Sequence, residues 1–114
     1  MERQLPKCPV EVALYMIGDK WTFLIIRELV RARGKALRYS EIKNNINKIS
    51  DKMLSQNLRR LEDEKLIEKK VFAQVPPKVE YSLTELGQTL TSVIRALFNW
   101  GEMYINYVKE NENE

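Results

Sequence analysis

The segment from Ser50 to Lys65 constrains the fold of this 114-residue chain more than any other feature. Three leucines, Leu54, Leu58 and Leu61, recur at spacings of four and three, which places them together on one side of an α-helix. The serine at the start of the segment is a good N-cap, because its hydroxyl oxygen can accept a hydrogen bond from a backbone N–H that has no partner within the helix. We therefore predict an amphipathic helix that begins just after this serine and ends near Lys65.

The side of this helix opposite the leucines is polar and carries few acidic residues. It presents Lys52, Ser55, Gln56, Arg59 and, near its C-terminal end, Asp63, with Arg60 at its edge. A solvated polar surface is one interpretation of such a pattern. The other is recognition of DNA, because serine, glutamine and arginine are residue types that read base edges and hold phosphates in the major groove.

The residues on either side of this helix favour DNA recognition. A shorter helix is predicted from Glu41 to about Asn47, with Ser40 as its N-cap, and the linker to the next helix is short. Two short helices joined by a tight turn form the core of a helix-turn-helix, whose second helix enters the DNA groove. Ser40 and Ser50, at the starts of the two helices, are therefore added to the candidate DNA contacts.

A β-hairpin is predicted directly after the helix pair, from Leu66 to Leu83. Its first strand is rich in β-branched and aromatic residues, Pro76-Pro77 forces a turn, and the second strand alternates apolar and polar residues. A hairpin at this place is typical of the wing of a winged helix. We predict that Lys78 contacts DNA. For Lys69 and Lys70 we favour protection of an edge strand against pairing with another molecule.

Two further helices and a short strand are predicted before the helix pair. The first helix opens at Pro9 and ends at Gly18, where glycine would adopt the left-handed conformation of a helix stop. The second runs from about Lys20 to Ala32 and carries Glu28 on its otherwise apolar side. A short strand is expected at positions 36–38.

The last helix, predicted from Thr84 to about Lys109, carries more apolar surface than so small a domain can cover. Its apolar residues recur at spacings of four and three, which is typical of the contact between two packed helices. Packing on its own domain alone is the alternative, but it would leave one apolar side bare. A homodimer is therefore predicted, and its interface is expected to contain Leu90, Val93, Leu97, Trp100 and Tyr104.

Length and composition place these elements in one globular domain, residues 1–114, that is mainly α with a small β-hairpin. Residues 20–81 hold 15 Lys/Arg against 8 Asp/Glu, whereas residues 84–114 hold 2 against 5. A basic middle suggests a polyanionic partner, although uneven surface charge alone is the alternative. No apolar run is long enough to span a membrane and the N-terminus has no signal-like stretch, so we expect a cytoplasmic protein.

Residues that would support enzyme chemistry are lacking in the sequence. It contains no histidine, no glycine-rich phosphate loop and no nucleophile-elbow motif. We therefore expect no catalysis, no cofactor and no metal. A winged-helix module that binds other proteins instead of DNA remains the competing hypothesis.

Several ordered motifs in this chain resemble HxlR-type regulators, which are relatives of the MarR group. They lie at 8–11 (CPVE), 17–21 (IGDKW), 24–29 (LIIREL), 39–42 (YSEI), 49–62 (ISDKMLSQNLRRLE), 75–87 (VPPKVEYSLTELG) and 100–101 (WG). The resemblance implies a bacterial, dimeric winged helix-turn-helix that binds a pseudo-palindromic operator in double-stranded DNA. By position, it also implies a recognition helix at 50–65 and a wing at 66–83.

The resemblance bears as well on Cys8, the single cysteine of the chain. It implies that an N-terminal cysteine senses oxidants or electrophiles, and a helix N-terminus would favour the reactive thiolate. The alternative is a small packing residue, the commoner role of a lone cysteine. The sequence indicates no particular small-molecule effector.

Overall fold

The structure is a computed structural model that describes residues 4–112. Six helices and three strands follow one another in the described chain. They are α1 (Pro9–Ile17), α2 (Lys20–Arg31), β1 (Leu37–Arg38), α3 (Tyr39–Asn45), α4 (Asp51–Asp63), β2 (Ile67–Phe72), β3 (Lys78–Leu83), α5 (Glu85–Gln88) and α6 (Thr91–Glu112). The predicted fold class is confirmed, with a three-stranded sheet where we expected a hairpin and a short strand.

The core forms where α2, α3 and α4 pack against one another and against the sheet. Its fully buried members come from the apolar stripes of these helices and from the start of β2. They include Ile25, Ile26, Ile42, Leu54, Leu61 and Ile67, each 2% exposed or less. The leucine side of α4 therefore faces inward, and its polar side is left to solvent.

The sheet has the strand order β1-β3-β2 and is antiparallel throughout. The two long strands pair from Ile67 opposite Leu83 to Phe72 opposite Lys78, and β1 pairs Leu37 with Tyr81. The predicted hairpin is thus present, and β2 is an edge strand. Residues 73–77 form the tip of the hairpin, where Val75 is fully exposed.

Two predictions about how a helix ends or begins were wrong: the conformation of Gly18 and the capping role of Ser40. Gly18 ends α1 with a φ of −74°, not in the left-handed region, and a Cβ there would clash with the carbonyl oxygen of Leu14. The glycine is therefore explained by close approach. Ser40 is not an N-cap, because α3 begins at Tyr39 and the Arg38 N–H donates to Glu41 Oε1 at 2.9 Å.

The single last helix of our prediction is also wrong, because the chain turns after a short α5. Thr84 caps α5 by accepting the Gly87 N–H at 3.0 Å, as expected for a helix start. The N–H groups of Thr89 and Leu90 then bond three residues back, at 3.1 and 3.0 Å. Such bonds tighten the turn and redirect the chain, and α6 starts anew at Thr91. No helix within residues 4–112 is long and apolar enough to cross a bilayer.

Candidate DNA interface

The polar side of α4 forms the centre of the candidate interface. Ser50 accepts the Met53 N–H at 3.1 Å and fixes the start of the helix, as predicted. The helix then packs its leucines inward. Four of the predicted contact residues consequently share one solvent-facing surface, and all four are exposed: Lys52, Ser55, Gln56 and Arg59. Ser40 is exposed near the start of α3.

Arg60 lies next to Arg59 in sequence but has a different environment. Its guanidinium Nη2 donates to the Met16 carbonyl oxygen at 3.1 Å and to Thr22 Oγ1 at 2.7 Å. Both partners belong to the α1–α2 region. The side chain that we placed at the edge of the DNA surface therefore points into the protein and joins α4 to the N-terminal helices.

A buried polar contact accompanies Arg60, and sequence reasoning missed it. Thr22 is 0% exposed and donates its hydroxyl to Asn57 Oδ1 at 2.7 Å. Asn57 is 7% exposed and donates from Nδ2 to the Met53 carbonyl oxygen at 2.8 Å. Buried polar groups need such partners, and these bonds fix the position of α4 against α2. The periodicity of α4 gave one signal, because Asn57 falls next to the leucine stripe.

A second network, also missed, orders the N-terminal end of α4. The Tyr39 hydroxyl donates to Asp51 Oδ1 at 2.9 Å and lies 3.3 Å from Ser55 Oγ. Lys43 Nζ contacts the same Asp51 oxygen at 2.7 Å. The Lys43 and Tyr39 hydrogen bonds hold the pKa of the Asp51 carboxyl below its ordinary value. Asp51 is therefore an anion paired with a cation at the edge of the surface that would face phosphates.

The hairpin lies beside α4 and extends this surface. A groove of about 510 Å³ is lined from the helices by Tyr39, Ser55 and Arg59 together with the carboxylates of Glu62 and Asp63, and from the strands by Lys69 and Tyr81. Burial raises the pKa of Tyr81, and the Glu62 and Tyr39 charges add to this effect. The structure thus brings Lys69, which we had assigned to edge protection, to the same groove as Arg59.

Lys78 is less free than its place near the tip suggested. Its Nζ lies 3.7 Å from Glu80 Oε2 and 4.9 Å from the centroid of the Phe72 ring. The side chain is 29% exposed. Its predicted phosphate contact would therefore compete with an intramolecular ion pair at the end of the hairpin.

The residues predicted for a dimer interface fall into two groups. Leu90 packs against the core of its own domain. Val93, Leu97, Trp100 and Tyr104 are 36%, 50%, 58% and 52% exposed, although all are large and apolar or aromatic. Trp100 and Tyr104 stack with ring centroids 5.5 Å apart. Within the described chain, this side of α6 is left without cover.

Cys8 occupies the N-cap position of α1, directly before Pro9. Its thiol is free and exposed. Among residues 4–112, Cys8 is therefore not buried by packing against the rest of the protomer.

A helix pair whose second helix presents a polar outer side, followed by a strand-turn-strand wing, defines the winged helix-turn-helix class. The family comparison is more specific: the model of HxlR-like helix-turn-helix proteins matches residues 16–109. The chain belongs to this family and is a transcriptional regulator of the HxlR/MarR type.

Similar proteins agree with this assignment. An uncharacterized HTH-type transcriptional regulator of Methanothermobacter thermautotrophicus is 44% identical over 107 residues, which are 94% of this chain and 79% of the relative. The crystal structure of a MarR-family transcriptional regulator from Porphyromonas gingivalis W83 has a TM-score of 0.79 and 37% identity, and the match covers 90% of this chain and 97% of that one. The redox regulator HypR in its reduced form has a TM-score of 0.81 and 35% identity, covering 90% and 99%.

Proposed function

We propose that this protein is a homodimeric, sequence-specific regulator that binds a pseudo-palindromic operator in double-stranded DNA. The recognition helix, 50–65, enters the major groove, and the wing, 66–83, lies on the adjacent backbone or minor groove. The observation that carries this proposal is the exposed side of α4, where Ser55, Gln56 and Arg59 stand opposite a fully buried leucine stripe. Because the DNA of a bacterial cell lies in the cytoplasm, we expect the protein to act there.

Each member of the exposed set has a role that its chemistry allows. Gln56 can form a bidentate pair with adenine and Arg59 with guanine, whereas Lys52 is suited to a phosphate. Ser55 would offer a hydroxyl whose position Tyr39 constrains. Lys69 adds a positive charge beside Arg59, and it supports the orientation in which the wing follows the DNA backbone.

The apolar side of α6 supports the dimer. Large contiguous apolar patches are rare on the surfaces of monomers, and where they occur they mark contacts with other proteins. We expect two copies packed through Leu97, Trp100 and Tyr104 to present both of their α4 helices to one DNA duplex. Half-sites about 34 Å apart, one helical turn of DNA, would then fit both helices.

The DNA proposal is tested by selecting bound fragments from genomic DNA and measuring affinities for the enriched sequence. Arg59→Ala should weaken specific binding by about 1–3 kcal/mol and relax the preference at one base position. Lys109→Ala also removes one positive charge, but from the end of α6, and should bind as the unchanged protein does. Failure to enrich any sequence, together with equal DNA retention by both variants, would favour the protein-interaction hypothesis.

The dimer is tested by sedimentation equilibrium. Leu97→Glu should shift the mass toward one chain, because it buries a charge in the proposed interface while its side chain is half-exposed in the protomer. Asn99→Glu, two residues away on the polar side of the same helix, is the control. An unchanged dimer mass for Leu97→Glu would place the interface elsewhere.

A redox response through Cys8 is the third part of the proposal. The exposed thiol at a helix N-terminus is accessible to oxidants, and the similar protein HypR is a redox regulator. We expect diamide to change the operator affinity of the unchanged protein and to leave Cys8→Ser unaffected. Equal sensitivity of the two proteins would remove Cys8 from the response.

A further inference from the structure

Lysines surround the start of α4: Lys43 on α3, Lys48 in the turn between the two helices and Lys52 on α4 itself. Lys48 and Lys52 are exposed, and neither has an acidic side chain within 4.0 Å in the part of the chain that the structure describes. Lys43 differs, because its Nζ contacts Asp51 Oδ1 at 2.7 Å. One of these cations is therefore already paired with an anion of the protein itself.

The ion pair of Lys43 and Asp51 is held in place and yet open to solvent. Asp51 Oδ1 also accepts the Tyr39 hydroxyl at 2.9 Å, and the same hydroxyl lies 3.2 Å from the Asp51 backbone carbonyl oxygen. Two residues of α3 therefore hold this carboxylate. The side chains of Lys43 and Asp51 are 37% and 70% exposed, so an external anion can reach the lysine from solvent.

The position of Lys43 suits a contact with the DNA backbone. In a helix-turn-helix the first helix crosses the phosphates while the second enters the groove, and α3 and α4 are these two helices. Tyr39 links the ion pair to the surface proposed to face DNA, since its hydroxyl lies 3.3 Å from Ser55 Oγ. Carboxylate and phosphate oxygens are both charged acceptors for an ammonium group. Asp51 and a DNA phosphate would thus compete for the same lysine.

We propose that Asp51 restrains binding to duplex DNA of any sequence by holding Lys43, a phosphate-contacting residue, in an intramolecular ion pair. This inference rests on the proposed DNA-binding function. Contacts to phosphate carry no sequence information, so release of Lys43 strengthens binding to the operator and to other duplexes alike. The Asp51 carboxylate also repels phosphates that approach the start of α4.

The test is a double-mutant cycle on Lys43 and Asp51 in the full chain. Labelled duplexes of about 30 base pairs are long enough for two half-sites one helical turn apart. One duplex carries the sequence enriched by selection, and the other carries the same bases in scrambled order. Asp51→Asn keeps an oxygen for the Tyr39 hydroxyl but removes the charge, and it should raise the affinity for both duplexes about three- to tenfold. The slope of log affinity against log salt concentration should steepen by about 0.9, the contribution of one phosphate contact.

Two further variants show whether Lys43 carries the effect. Lys43→Gln should reverse the gain in the Asp51→Asn background. In the unchanged protein it should lower the affinity less than about twofold, because the ion pair already withholds the lysine. Glu68→Gln removes one negative charge from the face of the sheet opposite Lys69, and it should change the affinity less than about twofold because salt screens distant charges. Thermal melting checks that every variant is folded, and a loss of stability would not raise the affinity.

Three results would overturn the proposal. Equal affinity of Asp51→Asn and the unchanged protein for both duplexes would show that Asp51 does not restrain binding. An equal effect of Lys43→Gln in both backgrounds would show that Asp51 acts without the lysine, and a gain confined to the operator would indicate a contact with a base. Each of these results leaves the proposed function standing. If the unchanged protein binds neither duplex, the proposed function fails, and this inference fails with it.

Discussion

Replacing Arg60 by alanine should destabilise the fold, whereas replacing its neighbour Arg59 should affect only DNA binding. The two arginines are adjacent on α4 but have opposite environments. Arg60 is partly buried and donates to the Met16 carbonyl and the Thr22 hydroxyl, whereas Arg59 is exposed. The pair therefore offers the same substitution, one residue apart, with two different physical consequences.

The magnitude follows from the two hydrogen bonds of Arg60. A hydrogen bond from a charged donor contributes about 1.5–3 kcal/mol net, and partial exposure favours the lower end of that range. Thr22 keeps Asn57 as a partner after the substitution, so its hydroxyl is not left unpaired. Alanine regains a few tenths of a kcal/mol through helix propensity. We therefore expect Arg60→Ala to lower the free energy of unfolding by about 2–3 kcal/mol.

Urea denaturation followed by far-UV circular dichroism measures this difference. The two variants and the unchanged protein must be compared at one protein concentration, because dimer formation would add to the apparent stability. Arg59→Ala should remain within about 0.5 kcal/mol of the unchanged protein, as exposed substitutions usually do. If the urea midpoint shifts while the dependence of the unfolding free energy on urea concentration stays the same, the substitution has changed stability alone.

Two results would refute this reasoning. If Arg60→Ala is as stable as Arg59→Ala, its inward contacts do not hold α4 against the N-terminal helices. If folded Arg60→Ala loses operator affinity while its stability is unchanged, Arg60 contacts DNA, as its predicted place at the edge of the polar side suggests, and the observed geometry would not be that of the bound protein.

Three further predictions concern close packing, charge and the ordering of α4. Gly87→Ala should lower the free energy of unfolding by about 1–3 kcal/mol, because a Cβ there clashes with the Leu66 carbonyl oxygen. Gly101→Ala should raise it by about 0.5–1 kcal/mol, because a Cβ at that position meets nothing within 4 Å. Thermal unfolding compares the two variants. The lowered pKa of Asp51 means that its ionised form stabilises the fold above pH about 4, and that this contribution is lost as the pH falls through the folded-state pKa. The stability difference between the unchanged protein and Asp51→Asn should therefore shrink on acidification, and a constant difference would contradict the pairing with Lys43. Tyr39→Phe should reduce operator affinity several-fold with little loss of stability, because Ser55 loses the partner that orients its hydroxyl. Titration of labelled operator measures the affinity. An unchanged affinity would show that the Tyr39–Ser55 contact has no role in DNA binding.

Periodicity and capping chemistry made most of the fold predictable from the sequence. The leucine stripe and Ser50 gave α4 its bounds and its buried side, because apolar spacing and an N-terminal hydroxyl act locally. The hairpin was predictable for the same reason. The break between α5 and α6 was not, because Thr84 through Lys109 has continuous helical periodicity and the turn depends on the approach of Gly87 to Leu66, 21 residues earlier.

The sequence by itself determined which elements form and that one side of α4 is polar, since these properties depend on residues a few positions apart. Only the tertiary structure decided which of the polar residues on α4 remain available to contact DNA. The sequence places Arg59 and Arg60 side by side on the polar part of α4, but contacts with Met16 and Thr22, 44 and 38 residues away, draw Arg60 inward. Long-range contacts of this kind depend on how the elements pack, and local spacing does not specify that packing.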